Sequence, residues 1–233
     1  MERYLRAHLR QGRQRSSLQH RGPKPFITIS RQAGAGGHAL ADALIASFDS
    51  EEDGSLFDGW QIFDRRLCEI VADKPTYSNS LEALVAEDYR TRADEFFHQF
   101  LRSTVDQRAV MERVFRVVRA VASVGNAIII GRAGAQVTKD MTSGLHVRLV
   151  APEVVRVKGV MDFYTMDGKN AKAEAKRLDI ARARLVKTHF GADIADPTEY
   201  DVVFNTGQMP IESISEFMVH ILKRNSLVSS GAD

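Results

Sequence analysis

Between Phe26 and Leu40 the chain reads Phe-Ile-Thr-Ile-Ser-Arg-Gln-Ala-Gly-Ala-Gly-Gly-His-Ala-Leu. A short apolar run, three glycines in four positions and the first turn of a helix follow one another without a break. Such an order leaves few options, because the chain must enter as a strand, reverse through a glycine turn and leave as a helix. The glycines let backbone N–H groups approach an anion, and the helix N-terminus behind them favours negative charge. The turn therefore has the shape of a phosphate cradle. A standard phosphate loop ends in Gly-Lys-Ser/Thr, with the lysine as cation and the hydroxyl on magnesium. Here the matching residues are Gly36, Gly37 and His38, followed by Ala39, so any charge must come from elsewhere. His38, at the mouth of the turn, either brings an imidazole to a phosphate or serves as a cap facing solvent.

The rest of the chain repeats the alternation. Leu40, Ala41, Leu44, Ile45 and Phe48 recur at helical spacing and predict a helix packed on a sheet. Trp60 to Phe63 reads as a short strand ending at Asp64-Arg65-Arg66. From Leu67 to about Gly125 the apolar residues fall at three- and four-residue spacing, which predicts three or four amphipathic helices. Asn126 to Ile130 is uniformly apolar between two glycines, the signature of a central parallel strand. Leu145 to Val150 is a further strand, Glu153 to about Met161 a helix, and Ala171 to about His189 a long charged helix. Tyr200 to Asn205 is the last strand, and Ile211 to Leu222 lies in the last helix. Strands alternating with helices imply a parallel α/β sheet.

Charge and cysteine content exclude several classes. Residues 1–24 carry seven Lys/Arg and one Glu, or +6; the whole chain carries 32 and 30, so residues 25–233 carry 25 and 29, or −4. The basicity belongs to an N-terminal arm, which suits nucleic acid or an acidic partner, resembles a transit peptide, or is a solvated, partly helical extension. The remaining domain lacks the basic, aromatic-interleaved character of a nucleic-acid groove. The single Cys68 rules out an internal disulfide framework and points to a reducing, cytoplasmic setting. No apolar run approaches the length of a membrane span. No two histidines stand at ligand spacing, so there is no metal signature.

In an open parallel sheet, ligands bind outside the carboxyl ends of the strands. That rule selects Ser30, Arg31 and the glycine turn, Asp64 with Arg65 and Arg66, Gly131 with Arg132, and Asn205. Arginine at three strand ends fits phosphate, because a guanidinium fork holds two oxygens at once. The helix after Ala171 adds Asp179, Arg182 and Arg184 among other charges, either as a solvated face or as cations reaching over a phosphate site.

These residues together resemble the cytidylate kinase-like family of P-loop proteins. The resemblance rests on Ile27 to Arg31 with Gly34-x-Gly36-Gly37, Phe63-Asp64-Arg65, Ile128 to Arg132, Ala151-Pro152 with Arg156, Asp179-x-x-Arg182, and Tyr200-Asp201 leading to Asn205-Thr206-Gly207. It implies a three-layer α/β domain over residues 25–225, with a parallel five-stranded sheet of P-loop kinase type. It also implies a helical acceptor-binding insert at about 65–125 and a small lid at about 157–190, with a flexible tail over 226–233. The implied activity is transfer of a phosphoryl group from ATP to a nucleoside monophosphate, cytidylate-like, or a similar small phosphorylated acceptor, with Mg²⁺ bridging the donor phosphates. The alternative is a catalytically weak or inactive nucleotide-binding regulatory module, in keeping with the missing loop lysine. By the same resemblance Ser30, Gly34, Ala35, Gly36, Gly37 and His38 would hold the donor. Asp64, Arg65, Arg132 and Asp179 would approach the acceptor, and Arg31, Arg156, Arg182 and Arg184 would act in transfer. Oligomeric state and acceptor base are not encoded in any readable pattern.

Overall fold

The computed structural model describes residues 24–51, 54–64 and 105–230. Arg65, most of the expected insert and the basic arm up to residue 23 lie outside the described residues. Five strands form one sheet: β1 (Phe26–Arg31), β2 (Gln61–Phe63), β3 (Ala127–Ile130), β4 (Gly144–Val150) and β5 (Val202–Asn205). Their order is β2-β3-β1-β4-β5, and every neighbouring pair is parallel. The glycine-turn strand is thus the middle of the sheet, with its carboxyl end beside those of β3 and β4.

Helices cover both faces. Between β1 and β2 stand α1 (Gly37–Asp49) and the short α2 (Gly54–Phe57); α3 (Val105–Val124) precedes β3, and the one-turn α4 (Gly134–Val137) follows it. After β4 come α5 (Glu153–Tyr164) and α6 (Gly168–Phe190), and α7 (Ile211–Ser230) closes the chain. This last helix continues past Asn225, where the sequence reading begins its tail. None of the described helices is long and apolar enough to cross a membrane.

Strands buried on both sides explain the near-continuous apolar runs of β1 and β3. Ile27, Ile29, Ile128 and Ile130 pack with Leu40, Leu44, Ile214 and Met218 of α1 and α7. Phe26, Ala127 and Ile129 pack on the other side with Val114, Phe115, Val118 and Val121 of α3. Each such side chain contributes roughly 1.5–3 kcal/mol on burial. Strand β4 breaks the pattern. Leu145, Val147 and Leu149 join the first cluster, whereas the alternating His146 and Arg148 are polar yet only 8% and 5% exposed. Both therefore need polar partners, and these lie at the site described next.

Helices α5 and α6 form a packed pair. Val160, Ala171 and Ala175 bury against Ala33 of the glycine turn, so this pair rests on the turn itself. The turn between them is closed by the Asp167 side chain, which accepts from the Asn170 N–H at 3.0 Å at the start of α6.

Candidate active site

The glycine turn is held from three directions. Gln32 donates its N–H to the Leu149 carbonyl at 3.0 Å, and its side-chain carbonyl accepts from Ala151 N at 3.0 Å, fixing the turn to β4. Thr206 donates its hydroxyl to the Ala35 carbonyl at 3.2 Å from beyond β5. Asp179 of α6 accepts the Ala33 N–H at 2.7 Å. Gly34 adopts φ +75°, and a Cβ there would fall on the backbone carbonyl of Arg156 in α5, so only glycine fits both the conformation and the contact. Helix α1 opens at Gly37 with Gly36 left-handed at the N-cap and no side chain capping it. The first-turn N–H groups of a helix have no partner within the helix, and of the turn residues Gly34 to His38 only His38 reaches the wall of the cavity described below.

Arg31, the last residue of β1, lies across this turn. A Cβ on Gly37 would be 3.1 Å from Arg31 Cγ and 3.2 Å from its Cδ and Nε. Farther along, the same guanidinium sits where a side chain on Gly131 would begin. The space that a loop lysine would enter is thus filled by an arginine arriving from the strand. Arg182 of α6 donates to the Arg31 backbone carbonyl at 3.2 Å and lies 3.5 Å from Asp179.

Arg31, Arg132, Arg182, His38 and Asp64 line one cavity of about 450 Å³. Its floor is the carboxyl ends of β1 and β3, with Thr28, Ser30, Ile130 and the Gly131–Gln136 segment. Its roof is the α5/α6 pair, with Phe163, Tyr164, Leu178, Leu185 and Val186. Phe163 stacks on His38, with ring centroids 5.4 Å apart and planes at 22°. Asp64 is the one carboxylate among the described lining residues, against three guanidinium groups. Burial, then Arg182 and Arg132, push the Arg31 guanidinium down to about 9. Burial likewise lowers Arg182, and burial with the Arg31 charge lowers His38, which keeps its imidazole neutral at pH 7. Arginine surrenders its proton reluctantly. An anion in the cavity relieves the same stress without that loss, so the cavity is built to take negative charge.

The backbone after β3 is also unusual. Gly131, Arg132 and Ala133 have φ of 76°, 54° and 53°, three consecutive left-handed residues of which two carry a Cβ. Left-handed backbone costs roughly 1–2 kcal/mol for such a residue, and here it turns Arg132 toward the cavity instead of along the strand.

The sequence reading expects Arg156 and Arg184 beside Arg182. Arg156 is bonded to Asp179 at 2.5 Å and is not on the cavity wall. Arg184 is exposed and does not line the cavity. Two positions separate it from Arg182, about 200° around a helix, so both cannot face the same way. Asp179 acts as a hub, joining the Ala33 N–H, Arg156 and Arg182. Arg65 lies outside the described residues.

Sequence reasoning missed a buried polar face on β4. Arg148 donates to Ser30 Oγ at 2.9 Å and lies 5.5 Å from the Tyr200 ring centroid. Tyr200 shares a 3.2 Å hydrogen bond with the same Ser30 hydroxyl and donates to the Ile194 carbonyl at 3.0 Å. His146 pairs with Thr28 Oγ1 at 2.8 Å, and its backbone N–H donates to Asp201 at 2.6 Å. Gln136 on α4 also escaped notice. A polar residue every second place in an otherwise apolar strand was the available signal for the first group; Gln136 gives none.

A model of the cytidylate kinase-like family matches residues 26–208. Among solved structures, an uncharacterized protein from Eubacterium ventriosum ATCC 27560 superposes with a TM-score of 0.65 at 18% identity, covering 86% of this chain and 99% of that one. This is a likeness of fold. The shikimate kinase from Bacteroides thetaiotaomicron gives a TM-score of 0.46 at 13% identity, over 85% of this chain and 98% of its own. No curated protein matches the sequence.

Proposed function

The chain belongs to the cytidylate kinase-like family, and we propose that it moves a phosphoryl group from ATP to a nucleoside monophosphate or a similar small phosphorylated acceptor. The observation that carries this reading is the convergence of Arg31, Arg132 and Arg182 on one cavity beside the glycine turn. Phosphoryl transfer asks mainly for positioning and for cations around the transferring group. In this reading the N–H groups from Gly36 to His38 hold donor phosphates and Arg31 stands in for the loop lysine. Arg132 and Asp64 face the acceptor, and Arg182 spans both. Magnesium bound with the donor would supply charge neutralisation there, since Ala39 offers no hydroxyl for it. Cytoplasmic location and an acidic partner for the N-terminal arm belong to the same proposal.

The test is Mg-dependent ADP formation across a panel of monophosphate acceptors. Arg132→Ala and Arg182→Ala should each lower kcat/KM by roughly a hundredfold or more, since removal of a phosphate-directed arginine can cost 10³–10⁵. Absence of both ATP binding and turnover defeats the reading. A second reading, a nucleotide-binding regulatory module, draws on the Asp179 carboxylate that already occupies the Ala33 N–H. ATP binding without turnover on any acceptor selects it.

A further inference from the structure

A chain of hydrogen bonds behind the cavity floor runs in one direction. Arg148 of β4 is 5% exposed, and its guanidinium donates to Ser30 Oγ at 2.9 Å. A guanidinium has no acceptor, so at this contact the serine oxygen can only receive. Ser30 also meets the Tyr200 hydroxyl at 3.2 Å, and that hydroxyl lies 3.0 Å from the Ile194 carbonyl. A carbonyl only accepts and a tyrosine carries one hydroxyl proton, so the Tyr200 proton goes to Ile194. The Ser30 proton is then held by the Tyr200 oxygen. Each proton from Arg148 through Ser30 and Tyr200 to Ile194 is thus assigned.

The surroundings keep this order in place. In the register of β1 and β4, Arg148 stands directly opposite Ser30. Among the described residues no carboxylate pairs with it, and its contacts are the Ser30 oxygen and the face of the Tyr200 ring, 5.5 Å from the centroid. A buried guanidinium with one hydrogen bond does not give it up readily, because the loss would leave a desolvated charge bare.

Ser30 is half-buried and lines the cavity, whereas Thr28, two places earlier on the same face of β1, is 1% exposed. Ser30 therefore carries the β1 hydroxyl within reach of a ligand. Of its two lone pairs Arg148 takes one, so what it offers the cavity is the other lone pair and no proton. Arg31, Arg132 and Arg182 on the same wall offer donors alone. A phosphate oxygen suits the arginines and meets no proton at Ser30, while a ligand O–H finds its acceptor there. A cationic donor would face three guanidinium groups, so the group that fits is uncharged.

We propose that Ser30, its proton held by Tyr200, is a specificity-determining residue that selects a phosphate ester carrying a free hydroxyl group over a bare anion or an ester without hydroxyls. This selection deepens the phosphotransfer reading by naming the chemistry of its substrate. It rests on that reading for the seat of the phosphate, yet it is a matter of binding and is tested as binding.

The full-length protein is titrated calorimetrically, without donor nucleotide, with ribose 5-phosphate and with tetrahydrofurfuryl phosphate, which has the same ring and phosphate but no hydroxyls. Inorganic phosphate is the third probe. The natural protein should bind ribose 5-phosphate about five- to tenfold tighter than tetrahydrofurfuryl phosphate, the scale of one hydrogen bond net of the water it replaces. Ser30→Ala should bring the two esters within about twofold of each other. Tyr200→Phe keeps the ring beside Arg148 but removes the acceptor of the Ser30 proton, which is then free to turn into the cavity. That variant should bind inorganic phosphate about threefold or more tighter than the natural protein does, a gain that a merely structural role for Tyr200 would not produce. Equal affinity of the natural protein for the two esters, or binding of neither, overturns the proposal. So does a persisting preference in Ser30→Ala, or a folded Tyr200→Phe variant with no gain for inorganic phosphate. The comparison of the two esters needs no variant and decides by itself if a variant fails to fold. Discrimination between the esters without ADP formation on any acceptor would uphold the selection and defeat phosphotransfer; ADP formation without discrimination would do the reverse.

Discussion

Arg31 and Gly37 share one volume: the arginine leaving β1 lies 3.1–3.2 Å from where a Gly37 side chain would begin. Lysine at position 37 and arginine at position 31 are thus alternatives. Arg31→Ala should lower kcat by about 10³-fold, in the range found when a phosphate-directed arginine is lost. Gly37→Lys in the natural background should also lower activity, since its stem meets Arg31. The double variant should be more active than Arg31→Ala alone, giving strong non-additivity in steady-state kinetics. Strictly additive losses would show that the two positions do not compete.

His38 gives the site a pH dependence with a definite sign. Its folded pKa lies below the ordinary 6.5, through burial first and the Arg31 charge second. Unfolded chain therefore takes up the proton at higher pH than folded chain does. Between the folded pKa and about 6.5 the unfolded state binds more protons, so stability falls as pH drops through that window and is complete above it. Urea midpoints compared at pH 5.5 and 7.5 should show the loss, and His38→Gln should shrink the difference. A phosphate on the cavity works against the depression, so saturating pyrophosphate should shrink it as well.

Arg132 is held in a left-handed conformation for the sake of its side chain. Arg132→Gly and Arg132→Ala both remove the guanidinium, yet only glycine removes the backbone cost. The glycine variant should be about 1 kcal/mol more stable than the alanine variant, with activity equally low in both. Chemical denaturation read beside ADP formation checks both halves; equal stability would mean that φ of 54° carries no strain here.

The order of the site along the chain was readable because its physics is local. Apolar runs at Phe26 and Ala127 mark strands buried on both faces, and the strand-end rule then brings Arg31, Asp64 and Arg132 to one rim. What stayed hidden depends on distance in sequence. Thr28 meets His146 and Arg148 meets Ser30 across 118 residues each, and Ala33 meets Asp179 across 146. No periodicity announces such pairs. The charged helix α6 was ambiguous for another reason: with Lys176, Arg177, Arg182, Arg184 and Lys187 spread around it, its inward face is set only by where Ala171 and Ala175 pack. Gln136 was invisible because an unbonded buried amide can be recognised only once its surroundings are known.

The contact between Gly34 and α5 separates two costs that usually come together. Gly34 and Gly59 have nearly equal φ, +75° and +76°, but a Cβ on Gly59 would meet nothing within 4 Å, whereas one on Gly34 would strike the Arg156 carbonyl. Gly159 of α5 repeats the constraint from the other side, its missing Cβ making room for the Gly34 carbonyl. Gly59→Ala should therefore cost only the left-handed conformation, about 1 kcal/mol. Gly34→Ala adds overpacking of roughly 1–3 kcal/mol and can be relieved only by moving α5 away from the turn. That movement would pull at Asp179 and its bond to the Ala33 N–H, so nucleotide affinity should fall together with stability in Gly34→Ala and stay unaltered in Gly59→Ala. Denaturation midpoints and ATP titrations of the two variants check this, and equal losses at both positions would show that α5 does not bear on the turn.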